Sequence, residues 1–242
     1  MSKMKKIKSV YHLVLLTLVL MLPASLFAQK PGWLTIGDSN GYGPDAWPAQ
    51  LQRLLPSVEI VNHSVPGNTI GFDNLGQKRL NTLHNIHQYL QETEKTLNGK
   101  APQHIIIWLG TNDSKKVFAQ RQGEVKKNME LLIDSIRTYY HKRNQKAEIT
   151  LVSPPPMLPD SCILEKYHGG DKRLAEIVKT YAGIAKQKQC HFINIYQPFH
   201  PVFQAMNKDG VHLIPEGEYI VARYILLHMN IPESMKPGCS KQ

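Results

Sequence analysis

A chain of 242 residues, 42% of them hydrophobic, is sized for one domain with a full core. Its formal charge of +10 is dispersed over short groups such as Lys78-Arg79, Lys126-Lys127 and His141-Lys142-Arg143, with no nucleic-acid module around them. That excludes nucleic acid as a partner and reads as solvated helix faces compatible with acidic glycans. The three cysteines, Cys162, Cys190 and Cys239, have no CxxC spacing, which excludes zinc and dithiol redox chemistry.

The first 28 residues read as a secretory signal peptide. Lys3, Lys5, Lys6 and Lys8 form a basic start, Val10 to Leu22 an apolar run, and Pro23 to Ala28 a helix breaker followed by a small residue before Gln29. The run is short for a membrane span and no later stretch is longer. Residues 29–242 then form a single domain of 214 residues, with 25 basic against 19 acidic side chains, since the leader holds four basic and no acidic ones. Export permits one disulfide among the three cysteines without selecting the pair. Cys190, in an apolar run, reads as a core thiol.

From there, short apolar runs alternate with longer helical patterns. Strands are predicted over 33–36, 58–62, 104–109, 148–152 and 192–195, and helices over 46–55, 76–97, 120–143, 171–188 and 215–229. The run Ile105-Ile106-Ile107-Trp108-Leu109 suits a strand buried on both faces. In the third helix Val125, Met129, Leu132, Ile133 and Ile136 recur at three- and four-residue steps. Pro215 suits a first helical position. Five strands alternating with helices imply an α/β protein with a parallel sheet covered on both sides. The irregular stretch 153–170, with Pro154-Pro155-Pro156 and Gly169-Gly170, is predicted to shape the substrate site, and the tail 231–242 to be loose.

Four segments fall where such a sheet puts its chemistry. Gly37-Asp38-Ser39-Asn40 follows the first strand as a turn presenting Ser39, with Asp38 expected to support that turn. Asn62 to Thr69 follows the second strand and contains Gly67, where the backbone can come close to a ligand. Gly110-Thr111-Asn112-Asp113 follows the third, with the Asn112 amide a suitable donor to a developing oxyanion. Asp209 and His212, ahead of the last helix, are spaced so that the carboxylate can fix the imidazole tautomer and leave Nε2 free for Ser39. Each segment alone also suits a turn or a surface pair. His84 and His87 lack a third ligand and are expected to be exposed; Trp33, Trp47 and Trp108 are expected in the core. Neither GxGxxG nor Walker spacing is present.

Together and in this order, the four segments resemble the SGNH hydrolases, the GDSL-type esterase superfamily. The resemblance spans nearly all of residues 29–242 and departs from the pattern at Asn40, where Leu or Ile usually follows the serine. It implies a three-layer α/β/α flavodoxin-like sandwich with a five-stranded parallel sheet. It also implies acyl transfer by Ser39 as nucleophile, His212 as general base and Asp209 as its orienter. The oxyanion hole would comprise the backbone N–H groups of Ser39 and Gly67 and the side chain of Asn112, with no metal and no cofactor. Exported bacterial members include many carbohydrate O-acetylesterases, so the expected substrate is a small-molecule or glycan ester, met in the periplasm or outside the cell, without stable membrane association after signal cleavage. One alternative is a lysophospholipase or thioesterase for longer acyl chains, with Met157, Leu158, Ile163 and Leu164 lining an apolar groove. Another is a glycan-binding relative without turnover.

Overall fold

Each central strand of the protein alternates its side chains between two separate cores. A computed structural model describes residues 30–232 and 235–236; the predicted leader and most of the tail lie outside the described residues. The strands are β1 (Gly32–Gly37), β2 (Glu59–Ser64), β3 (His104–Trp108), β4 (Glu148–Val152) and β5 (His191–Ile193). They form one sheet in the order β2-β1-β3-β4-β5, parallel throughout. On β3, Ile105 and Ile107 enter one core while Ile106 and Trp108 enter the other, as a two-residue period requires.

Five longer helices cover the sheet: α1 (Trp47–Leu54), α2 (Thr82–Thr96), α3 (Glu124–His141), α4 (Gly170–Lys188) and α5 (Pro215–His228). Ile86 and Leu90 of α2, Met129 and Ile133 of α3, and Leu174 and Tyr181 of α4 bury against one face. Trp47 and Leu51 of α1 and Val221, Ile225 and Leu226 of α5 bury against the other. This is the three-layer α/β/α arrangement, and the helical stripe read from Val125 to Ile136 is the buried face of α3. Among the described residues no helix is long and apolar enough to cross a membrane.

Two helices begin later than their apolar pattern suggests. The pattern from residue 76 is broken into turns at Asn74–Gly76 and Lys78–Leu80. The helix starts at Thr82, where the Asn81 side chain accepts the His84 N–H and caps it. Residues 116–121 likewise form a tighter turn before α3. Just beyond β5, which ends at Ile193, the Ile195 and Tyr196 N–H groups donate to the Ser153 hydroxyl.

The two helices on the second face are joined by a buried acid. Glu218 of α5 is almost fully buried and accepts the Trp47 N–H at the start of α1 through Oε2, at 3.0 Å. Burial pushes its carboxyl up to about 9; the Trp47 hydrogen bond opposes this and the Asp38 charge adds to it. A folded-state value above the ordinary 4.5 means that this group's stabilisation is complete below that value and is lost as pH rises toward 9. Melting temperatures of the wild type and Glu218→Gln, taken from pH 5 to 9, should therefore diverge with rising pH in favour of the variant. A pH-independent difference would contradict the assignment.

Candidate active site

Three chain segments leave the sheet together. Gly37 at the end of β1 is in register with Ser64 at the end of β2 and with Trp108 at the end of β3. The segment after β1 turns at once into Ser39–Gly41, with the buried Asp38 as its cap: Asp38 Oδ1 accepts the Asn40 N–H at 3.0 Å. Burial pushes Asp38 up to about 6, against the Asn40 hydrogen bond, the His212 charge, the Thr111 hydroxyl and the Lys115 ammonium, all of which lower it. Asp38 is thus a turn-former, as its position suggests, and Ser39 is left partly exposed at the edge.

Asp209 and His212 reach this serine from the loop before α5. A short antiparallel bridge between Asn207 and Leu213 closes the loop, and Asn207 Oδ1 accepts the Gly210 N–H at 2.6 Å. Asp209 Oδ1 accepts the N–H groups of Val211 at 3.1 Å and His212 at 2.9 Å, leaving Oδ2 for His212 Nδ1 at 2.8 Å. His212 Nε2 then lies 2.9 Å from Ser39 Oγ. Burial raises the Asp209 carboxyl, but the backbone and ring hydrogen bonds of His212, its charge and the Val211 N–H outweigh it and hold the group below its ordinary range. A charged carboxylate next to Nδ1 selects the Nδ1–H tautomer, so Nε2 can accept the hydroxyl proton.

The other two segments are sewn to each other. Gly67 has φ +88°, a left-handed conformation that a side chain would strain. Asn112 Nδ2 donates to the Asn68 carbonyl at 3.0 Å, and Asn68 Nδ2 donates to the Gly37 carbonyl at 3.2 Å. Asp113 accepts the Ile70 N–H at 2.9 Å; burial is the main cause of its rise to about 7. The segments that carry Ser39, Gly67 and Asn112 are therefore tied to one another by contacts among Gly37, Asn68 and Asn112.

Several residues at the site carry no recognisable motif. Asn40 is 2% exposed and accepts the Leu213 N–H through Oδ1 at 3.2 Å, tying the serine turn to the histidine loop. The only trace of it in the sequence is the polar residue where the pattern expects Leu or Ile. Asn68, Asn74 and Lys115 are also buried here.

The 153–170 stretch braces the loop that holds Asp209. Leu158 N–H donates to the Gly210 carbonyl at 3.0 Å, and a Cβ on Gly210 would lie 2.4 Å from Ile163. Met157 belongs to the core and Leu158 and Ile163 are partly buried, so of the four apolar residues only Leu164 stands exposed.

The remaining candidates lie elsewhere. Trp33, Trp47 and Trp108 are all core side chains, and His84 and His87 are exposed. Cys162 and Cys190 are free thiols; Cys190 is partly buried against the core, and Cys239 lies outside the described residues. Among the described residues no cluster of His, Cys, Asp or Glu could hold a metal. A cavity of about 900 Å³ lies at the opposite edge of the sheet, beside His104, Glu148 and His191 at the starts of β3, β4 and β5.

Residues 29–220 match the sequence model of the GDSL-like lipase/acylhydrolase family. No curated protein matches the chain. Among solved structures, the carbohydrate acetylesterase Est24 of Sinorhizobium meliloti is 20% identical with a TM-score of 0.66, over 83% of this chain and all of that one. The aryl esterase of M. smegmatis is 19% identical with a TM-score of 0.65, over 82% of this chain and all of that one. A lipase/acylhydrolase from Enterococcus faecalis is 20% identical with a TM-score of 0.60, over 81% and 93% of the two chains. At these identities the likeness is one of fold.

Removing Asn40 should leave the buried Leu213 N–H without its acceptor. Asn40→Ala is expected to destabilise the protein by about 1–3 kcal/mol, the usual cost of an orphaned buried donor. Urea unfolding with an unchanged midpoint would show the link to be dispensable.

Proposed function

The chain belongs to the GDSL-like lipase/acylhydrolase family and is a carboxylic ester hydrolase, and we propose that it removes short acyl groups, acetyl foremost, from a carbohydrate through a Ser39–His212–Asp209 triad. The observation that carries this reading is the continuous hydrogen-bonded path from Asp209 Oδ2 through both imidazole nitrogens to Ser39 Oγ.

Ser39 Oγ attacks the ester carbonyl while His212 Nε2 takes its proton. The carbonyl π electrons move to oxygen, and the resulting oxyanion is received by the N–H groups of Ser39 and Gly67 and by the Asn112 amide. Collapse expels the sugar alkoxide, which takes the proton from His212 and leaves an acyl-Ser39 ester. Water then attacks that ester with His212 again as base, releasing the carboxylic acid and restoring the serine. Asp209 keeps its charge throughout and stabilises the imidazolium in both half-reactions.

Two observations support a small acyl group on a polar carrier. The Sinorhizobium meliloti structures similar to this one are carbohydrate acetylesterases. In addition, Met157 is buried and Leu158 and Ile163 are half-buried against the two cores, which leaves little of the apolar groove that a long acyl chain would need. The basic and apolar pattern of residues 1–28 supports action outside the cytoplasm. One observation favours longer or more apolar esters as a second reading. Tyr42, Leu75, Val117 and Leu164 are all exposed, and each lies in the segment following a different strand, β1 to β4.

Turnover of p-nitrophenyl esters of increasing acyl length separates the two. Activity greatest on acetate fits the deacetylase, whereas a maximum at eight carbons or more would overturn it in favour of the second reading. Ser39→Ala and His212→Ala should each abolish measurable turnover in folded protein, and Asn112→Ala should lower kcat by about 10²–10³-fold. Undiminished hydrolysis by the Ser39 variant would refute the mechanism.

A further inference from the structure

We propose that Asn74 and Lys115 are positioning residues for the oxyanion hole: Asn74 grips the Gly67 carbonyl, and Lys115 fixes the sense in which the Asn74 amide points. The inference rests on the assignment of Gly67 as an oxyanion donor.

Asn74 is 1% exposed, and its Nδ2 donates to the Gly67 carbonyl at 2.6 Å. The same atom would stand 3.3 Å from a Cβ on Gly67, so the amide packs directly against that residue's α-carbon. Gly67 has the softest backbone of the three donors, because its φ of +88° is one that glycine enters and leaves freely. Its carbonyl needs an external hold, and Asn74 is the side chain that supplies one.

The backbone around Asn74 is bent to make this possible. Leu75, the next residue, has φ 55° and ψ 28°, a left-handed conformation that a branched apolar side chain rarely adopts, and its side chain is thrown out into solvent. Strain of this kind persists only where surrounding contacts over-determine it, and it gathers at functional sites. Here it lets one residue point inward while the next points outward.

Lys115 sets the orientation of the amide. Its Nζ donates to Asn74 Oδ1 at 3.4 Å, a long contact made by a side chain that is 7% exposed. An ammonium can only donate and a carbonyl can only accept, so the pair of neighbours admits one sense of the amide: Oδ1 to Lys115 and Nδ2 to Gly67. The charged and titratable groups facing Lys115 are Asp38, Asp113 and Lys166, together with Tyr167, whose ring lies 5.6 Å from Nζ. Burial, aided by Lys166, brings the ammonium down to about 8, with Asp38 and Asp113 opposing. The relay is therefore charged in neutral solution and loses its charge in mildly alkaline solution.

Three variants test this beside Ser39→Ala. Asn74→Asp keeps an acceptor for Lys115 but sets an oxygen against the Gly67 carbonyl. It should still fold, though less stably than the wild type, and lose about 10–100-fold in kcat with KM within twofold, less than deletion of an oxyanion donor outright. Wild-type kcat should fall as pH rises through about 8, and Lys115→Arg, which holds its charge, should lack that fall. Lys115→Met should sit on the lower plateau at every pH. If Ser39→Ala is inactive while Asn74→Asp keeps full kcat, or if all three forms at position 115 share one pH profile, the relay is wrong and the esterase mechanism stands. Turnover by Ser39→Ala would instead remove the premise on which the relay rests.

Discussion

The site depends on where β1 sits in the sheet. It is flanked by β2 on one side and β3 on the other, and the crossovers on either side of β2 run over opposite faces, through α1 and α2. The chain therefore parts at the carboxyl end of β1 and leaves a crevice there, as open parallel sheets do at the point where strand order reverses. With Gly37 level with Ser64 and Trp108, the segments carrying Ser39, Gly67 and Asn112 all emerge at one height. The contacts among Gly37, Asn68 and Asn112 follow from that alignment, and only the Asp209–His212 loop must be delivered from a distant part of the chain.

Burial divides the acids of the site into two kinds. Asp38, Asp113 and Glu218 are each shielded from water, shifted upward, and engaged in accepting a backbone N–H, from Asn40, Ile70 and Trp47 respectively. They act as fixed acceptors that shape turns and helix starts. Asp209 is the exposed acid, and donors from its own loop keep it ionised. Environment, more than residue type, decides which carboxyl stays charged.

The α/β/α architecture was legible because strand and helix periods differ and the apolar runs obey them. The segments that meet at the carboxyl edge were legible because Gly-Asp-Ser, Gly-Thr-Asn-Asp and Asp-Gly-Val-His are contiguous in sequence. Asn40, Asn68, Asn74 and Lys115 were not, because each works through a partner 31 to 173 residues away or through a carbonyl whose need for a donor arises only after folding. The start of α2 was misplaced for a related reason: apolar periodicity continues through Leu80, while the cap at Asn81 decides where the helix begins. The 153–170 stretch follows β4 to that same edge, but Met157 is buried and Leu158 and Ile163 are half-buried, which one-dimensional hydrophobicity does not distinguish from an open groove.

The packing of Ile163 couples this loop to the segment that carries Asp209. The contact of Ile163 with Gly210 places the floor of a surface loop one residue from Asp209, with no room for a methyl group between them. A change at the exposed Leu164 touches only the loop's outer surface, whereas one that enlarges or shifts residue 163 presses on the backbone beside Asp209. Position 164 can therefore accept changes of size that position 163 cannot.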